Sequence, residues 1–265
     1  MAGWIRLLAT AASEVTKMTR PGYRTRFRIL PLLFAAIVAN PLLAGPGAAT
    51  SSQKFERVYP RGRGPAHLTI SNTRGDIIVD ATNRKSISVR AFTVHPSSVV
   101  DVVRGNEIEI SVKKRIPPSR TDFKVQMPRE TSISLMNVVG RIEITGAEGD
   151  VTVESFDSDV ELIDTRARLV DVKITRGNIT FDGELTEGGS YSLQSVKGDI
   201  DVTLPASSPF NLNARSLTGA INLGDFLSRL SGGSKVSKGI TGTHLKGGPN
   251  LTLTTFSGRV LLHTR

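Results

Sequence analysis

Apolar and polar residues alternate along most of this chain, and the alternation restarts after a glycine. YSLQSVKGDIDVTLP (191–205), FNLNARSLTGAINLG (210–224), PNLTLTTFSGRVLLH (249–263) and HLTISNTRGDIIVDA (67–81) are four copies of one arrangement. Aligning the chain on Gly75, Gly140, Ser158, Gly177, Gly198, Gly219 and Gly258 gives a recurring period near 20 residues, and the step from Gly219 to Gly258 spans about two periods. Two and four residues after each anchor the chain is apolar: Ile77, Ile142, Val160, Ile179, Ile200, Ile221 and Val260, then Val79, Ile144, Leu162, Phe181, Val202, Leu223 and Leu262. Five and seven residues before it the chain is apolar again, from Ile70 to Leu253 and from Leu68 to Leu251, with Tyr191 and Ala214 among them. The residue between those two columns is always polar: Thr69, Ser134, Thr152, Asp171, Ser192, Asn213 and Thr252. Period-2 alternation rich in β-branched residues predicts half-buried strands.

Each unit therefore reads as strand, glycine corner, strand. One such unit cannot bury its apolar face alone, whereas stacked copies place like over like and share a core. The expected fold is all-β: a β-solenoid of roughly 20-residue repeats with two short strands per repeat. Gly at the corner permits a backbone that other residues avoid, or lets neighbouring coils approach closely. Ser158 marks a less demanding corner.

The organisation follows. Residues 50–63 are a polar segment, and residues 64–265 form a single solenoid domain. Within it, 64–130 is a less regular N-terminal part with strands at HLTISN, SISVRAFTV, NEIEISV and DFKVQM, broken by an RGN turn and the Pro117–Pro118 loop. Residues 131–224 are the regular repeats, 225–248 a loop or degenerate coil with six Gly and one helical turn at DFLSRL, and 249–265 the final repeat. Stacking in chain order places Ile179, Ile200 and Ile221 on successive coils. It also puts the final repeat at the open end, guarded by Arg259, His263 and Arg265 or covered by 225–248.

Composition alters this picture at the N-terminus. The chain has 265 residues, 34 Lys+Arg, 24 Asp+Glu and no Cys. Residues 1–49 hold Arg6, Lys17, Arg20, Arg24, Arg26 and Arg28 against Glu14; setting those six and one aside leaves 28 basic and 23 acidic residues. That mild, scattered excess gives no nucleic-acid stripe. Basic MTRPGYRTRFR, the 16-residue apolar run 29–44 and the small-residue exit at Gly47 and Ala49 predict a signal peptide or leader over 1–49, cleaved after Ala49, with Met1 and Met18 as the alternative starts. The rival reading is an uncleaved anchor, which the short run with Pro31, Asn40 and Pro41 disfavours. Without Cys, no disulfide holds the exported domain.

The Φ-x-Φ-x-x-S-x-x-G-D-Φ-x-Φ copies, the ending GGPNLTLTTFSGRVLL and the opening GPAHLTISNTRGDIIVDATNRKSISVRA resemble the bacterial family of domains of unknown function labelled "putative adhesin". The resemblance covers residues 60–265 and implies an exported, non-catalytic, solenoid-like protein with no catalytic residues to carry over.

Candidate chemistry is sparse. Asp76, Asp159, Asn178 and Asp199 follow the anchors, and Arg74, Arg176 and Lys197 precede them. Such residues serve corners by bonding nearby backbone N–H groups. The sharper alternative is a carboxylate ladder that binds Ca²⁺ or cleaves an acidic polysaccharide. The nonapeptide of calcium-binding repeats is absent. His67, His95, His244 and His263 lack metal-ligand spacing. Trp4 is the sole Trp, and Tyr59 and Tyr191 are the only Tyr after the leader, which leaves little material for sugar stacking. Catalytic, cofactor and metal sites are expected to be absent.

The expected function is an exported, non-catalytic, adhesin-like binding or structural protein of the cell envelope. It would be periplasmic, cell-surface or extracellular and monomeric, meeting an envelope or extracellular protein or polysaccharide. It would not bind nucleic acid, and would touch membrane only through the signal sequence. The alternative is a polysaccharide-active β-helix enzyme using carboxylates on the coil surface.

Overall fold

The computed structural model describes residues 53–60, 62, 64–113, 118–236 and 238–265. The leader, its cleavage site, Met18 and Pro117 lie outside the described residues.

Among the described residues there are twenty-one strands. The N-terminal part holds β1 (Gln53–Pro60), β2 (His67–Ser71), β3 (Ile77–Thr82), β4 (Ser86–Thr93), β5 (Val99–Arg104), β6 (Glu107–Val112) and β7 (Thr121–Pro128). The chain then passes through β8 (Ser132–Val139), β9 (Ile142–Thr145), β10 (Val151–Asp157), β11 (Val160–Thr165), β12 (Leu169–Arg176), β13 (Ile179–Gly183), β14 (Ser190–Lys197) and β15 (Ile200–Leu204). It ends with β16 (Phe210–Ser216), β17 (Ile221–Asn222), β18 (Leu230–Val236), β19 (Gly239–His244), β20 (Asn250–Ser257) and β21 (Val260–Thr264).

Two sheets share these strands. The first has ten, in the order β1-β4-β7-β3-β9-β11-β13-β15-β21-β17; the second has eleven, in the order β18-β19-β16-β20-β14-β12-β10-β8-β2-β6-β5. From β8 to β15 the chain crosses from one sheet to the other at every corner, and like strands pair in parallel. The register sets equivalent residues side by side. In the ten-stranded sheet Phe123, Ile77, Ile142, Val160, Ile179, Ile200, Val260 and Ile221 are consecutive neighbours. In the other, Leu68, Ile133, Val151, Val170, Tyr191, Leu251 and Leu212 are. These side chains enter one continuous core, most of them fully buried. Tyr191 keeps its hydroxyl satisfied there, donating to the Ala167 carbonyl at 2.6 Å and accepting from Thr186 N–H at 2.7 Å.

The corners explain the anchor glycines. At Gly177, with φ +119°, a Cβ would lie 2.0 Å from the carbonyl oxygen of Ser158 on the next coil. Gly140, at φ +141°, stands in the same relation to Gly75 O. Ser158 has no positive φ; its buried hydroxyl meets that of Ser155 at 2.5 Å.

The structure departs from the sequence reading in three places. First, the polar segment 50–63 contributes β1, which pairs antiparallel with β4 at the edge of the ten-stranded sheet. Second, segment 225–248 is neither a loop nor a worn coil: a 3-10 turn at Gly224–Arg229 leads into the antiparallel hairpin β18–β19, which pairs with the outer edge of β16. Phe226 from the turn, His244 from β19 and Phe210 from β16 pack ring against ring with centroids 4.9–5.3 Å apart. Third, the final repeat does not end the stack. β20 lies between β14 and β16, and β21 between β15 and β17. Ile200 therefore neighbours Ile179 and Val260, not Ile221. The long step from Gly219 to Gly258 is the length needed to build the hairpin cap and return into a one-strand gap. Arg259, His263 and Arg265 consequently guard no edge; they face Asp199, Asp201 and the Asp182–Glu184 pair across interior strands.

Candidate ligand-binding groove

The residues after the anchors form a ladder, but a structural one. Asp76 Oδ1 accepts the backbone N–H of Arg141 at 2.9 Å, Asp159 Oδ1 that of Asn178 at 2.8 Å, Asn178 Oδ1 that of Asp199 at 2.9 Å, and Asp199 Oδ1 that of Arg259 at 2.7 Å. Each corner thus satisfies a backbone donor of the next. Arg259 also clasps Asp199 Oδ2 through Nε and Nη2 at 2.9 and 2.6 Å, and these bonds hold the Asp199 carboxyl below its usual range. Asp76 similarly takes Arg120 Nη2 at 2.6 Å. One oxygen of each of these three carboxylates is thus committed to the backbone. Among the described residues, no group of three His, Cys, Asp or Glu is placed to hold a metal ion. The histidines stand apart: His67 on β2, His95 before the turn Pro96–Ser98, His244 in the aromatic cluster, and His263 3.4 Å from Asp201.

A second ladder runs beneath the corners. Three residues before the anchors, Asn72, Asn137, Ser155, Ser195, Ser216 and Thr255 each donate to a carbonyl of a neighbouring coil, among them Asn137 Nδ2 to Gly75 O at 3.1 Å and Ser216 Oγ to Gly258 O at 2.7 Å. This is the physical content of the S-x-x-G motif: the serine satisfies the carbonyl that the close glycine packing would otherwise leave unpaired. Ile174 replaces the polar residue at one corner and is buried.

The face that no sequence column predicted is the outer side of the eleven-stranded sheet. Two residues before the anchors stand Val138, Phe156, Thr175, Val196, Leu217 and Phe256, of which Phe256 is 55 %, Val196 52 % and Phe156 50 % exposed. Parallel in-register pairing lines them into an apolar stripe that crosses the strands. Around β12, β14, β20 and β16 the stripe becomes the floor of a groove of about 740 Å³. Ile174, Val196, Leu217 and Phe256 give it an apolar bed, Gln194 and Thr254 a polar margin, and Lys238 and Gly239 a wall where β19 stands beside β16. Its charged lining residues are Lys173, Arg215 and Lys238, all basic. A hydrogen bond from Lys173 Nζ to Asp171 raises the ammonium pKa and keeps it charged. Volume and lining suit a small-molecule ligand. The outward apolar residues were the signal available in the sequence; attention to the inward columns concealed it.

Comparison with known proteins bears on the fold. The family described as Toastrack DUF4097 matches residues 131–263. A solved "putative cell adhesion protein" from Clostridium sporogenes is similar at TM-score 0.50 and 13 % identity, over 80 % of this chain and 100 % of that one. A "putative adhesin" from Bacteroides fragilis gives 0.38 and 12 % over 82 % and 99 % of the two chains. One from Parabacteroides distasonis gives 0.23 and 7 % over 80 % and 98 %. No curated protein matches the sequence.

Proposed function

Since the chain belongs to the Toastrack family of domains of unknown function, we propose that it is an exported, non-catalytic binding protein of the cell envelope. The observation that carries this reading is the groove on the outer face of the eleven-stranded sheet: a concave, apolar-floored site on strands that are paired on both sides. The fold, read as a β-solenoid of roughly 20-residue repeats with two strands each, serves as the rigid support that holds such a face in shape. The adhesion named for the Clostridium sporogenes protein agrees with this role. So does the engagement of the corner carboxylates in backbone hydrogen bonds, which gives Asp76, Asp159 and Asp199 a structural role.

Export is part of the proposal. Residues 1–49 act as a signal peptide cleaved after Ala49, and the mature protein is a monomer outside the cytoplasm. Mass spectrometry of the exported protein should find Thr50 at its N-terminus; an intact leader would favour an anchor instead.

The binding role is tested by retention on immobilised envelope polysaccharide and protein fractions, comparing the parent with Phe256→Asp. Phe256 is more than half exposed, so the change disturbs the groove and spares the core. The parent should be retained and Phe256→Asp should not. Equal retention, or release of sugars from the polysaccharide that stops on replacing Asp159 or Asp199, would overturn the proposal.

A further inference from the structure

The groove also indicates the chemistry of its ligand, an inference that rests on the binding role proposed above. Its charge has one sign. Among the described residues, no Asp or Glu lines it, and Arg215 and Lys238 have no carboxylate partner. Both line the groove, on neighbouring stretches of backbone: Arg215 lies opposite Gly239, and Ser216 N–H donates to the Lys238 carbonyl at 3.1 Å. One end of the groove is thus an unneutralised cationic site, complementary to an anion. From that end the outward column runs through Leu217, Phe256 and Val196 within the groove, then through the polar Thr175 on β12 to Phe156 beyond it. It crosses β16, β20, β14, β12 and β10, four strand spacings, or about 19 Å at the usual interstrand distance.

The floor discriminates between ligands that combine negative charge with apolar surface. Each of β16, β20, β14 and β12 is paired on both sides, so no strand edge is open to a peptide. A peptide lying across the strands would set its own N–H and C=O groups against Phe256, Val196 and Leu217, where they would go unpaired. A hydrocarbon chain carries no such groups. We propose that the groove binds a single-chain anionic amphiphile of the fatty-acid type. Its carboxylate lies at Arg215 and Lys238, and its acyl chain extends over Leu217, Phe256 and Val196.

The probe is dodecanoate, titrated calorimetrically into the purified protein below its micelle-forming concentration. One-to-one saturable binding is expected, weakening as salt rises. Dodecyltrimethylammonium, with the same chain and the opposite charge, should not bind. Arg215→Glu combined with Lys238→Glu should weaken dodecanoate binding at least about tenfold, as should Val196→Asp. All three positions are exposed, and circular dichroism checks that the variants are folded. The comparison of the two probes and the salt dependence need no variant. Absence of saturable binding, equal binding of the cationic probe, or binding to phosphatidylglycerol vesicles in place of monomeric dodecanoate would overturn the proposal. Should Phe256→Asp abolish envelope retention while dodecanoate fails to bind the parent, the ligand class falls and the binding role stands. Should dodecanoate bind while envelope retention ignores Phe256→Asp, the ligand class stands and the envelope role falls.

Discussion

Gly177→Ala is expected to be among the most damaging single-methyl additions this fold can suffer. Two effects act together. An L-residue at φ +119° costs about 1–3 kcal/mol. The new Cβ would also sit 2.0 Å from Ser158 O, more than about 1 Å inside ordinary contact. To relieve the overlap the two corners must separate, yet they are tied. Ser158 N–H donates to Arg176 O at 3.0 Å, Val160 N–H to Asn178 O at 2.9 Å, and Asn178 N–H to Asp159 Oδ1 at 2.8 Å. Losing two or three such bonds adds about 2–3 kcal/mol at roughly 1 kcal/mol each. The total is about 3–6 kcal/mol, against a usual domain stability of about 5–15 kcal/mol. Gly105→Ala is the matched control. Its φ is +62°, but nothing lies within 4 Å of the added Cβ, so about 1–2 kcal/mol is expected. Urea unfolding followed by far-ultraviolet circular dichroism measures both, because the sole Trp, Trp4, lies outside the folded repeats. If the two losses agree within about 1 kcal/mol, close approach of neighbouring corners is not what demands glycine.

Other expectations follow from the same geometry. Ile200 is fully buried, so Ile200→Ala should cost about 2–5 kcal/mol, while outward Ser192→Ala should stay within about 0.5 kcal/mol of the parent; equal losses in urea titrations would refute the inside–outside assignment. Arg259 lowers the Asp199 pKa, so this pair stabilises the fold above the unfolded aspartate value of about 3.9 and the gain is lost as pH falls through the lower, folded value. Asp199→Asn should then be less stable than the parent at pH 7, by up to about 1 kcal/mol for so exposed a pair, and the gap should close in acid; a gap independent of pH would refute the assignment. Replacing residues 225–248 by a short linker should bare Phe210 and the β16 edge and cause concentration-dependent light scattering; a variant that stays monomeric would show that the hairpin is no cap.

What was legible in the sequence follows from parallel in-register pairing. That geometry sets residue n of one coil beside its equivalent in the next, so inward columns such as Ile142, Val160 and Ile179 stand out in the chain as they do in the sheet. The order of the coils was not legible, for the same reason. Val260 and Ile221 fit equally well beside Ile200, and a column records membership without recording neighbours. The antiparallel edge strands β1, β5 and β18 carry no anchor glycine in the shared frame, so the periodic reading passed over them. The groove stayed hidden because Val196, Leu217 and Phe256 lie on the outward face, where polar residues are the ordinary expectation. His244 fell outside every column; only Phe210 and Phe226 beside it explain why it is buried.

The placement of β20 and β21 has a consequence for how the molecule is made. In a stack laid down in chain order, each coil finds its neighbour as soon as the next stretch of chain emerges. Here β14 and β15 wait with one side unpaired while β16, β17 and the hairpin are synthesised, and neither side of the gap closes until residues 250–264 arrive. Those residues act as a keystone: contacts as distant as Ser195 with Thr255 and Gly198 with Ser257 form last and join two half-built arches. Long-range closure of this kind slows folding. It also couples the flanks, so that removing residues 250–264 would split the protein through its middle where a sequential stack would only be shortened by a coil.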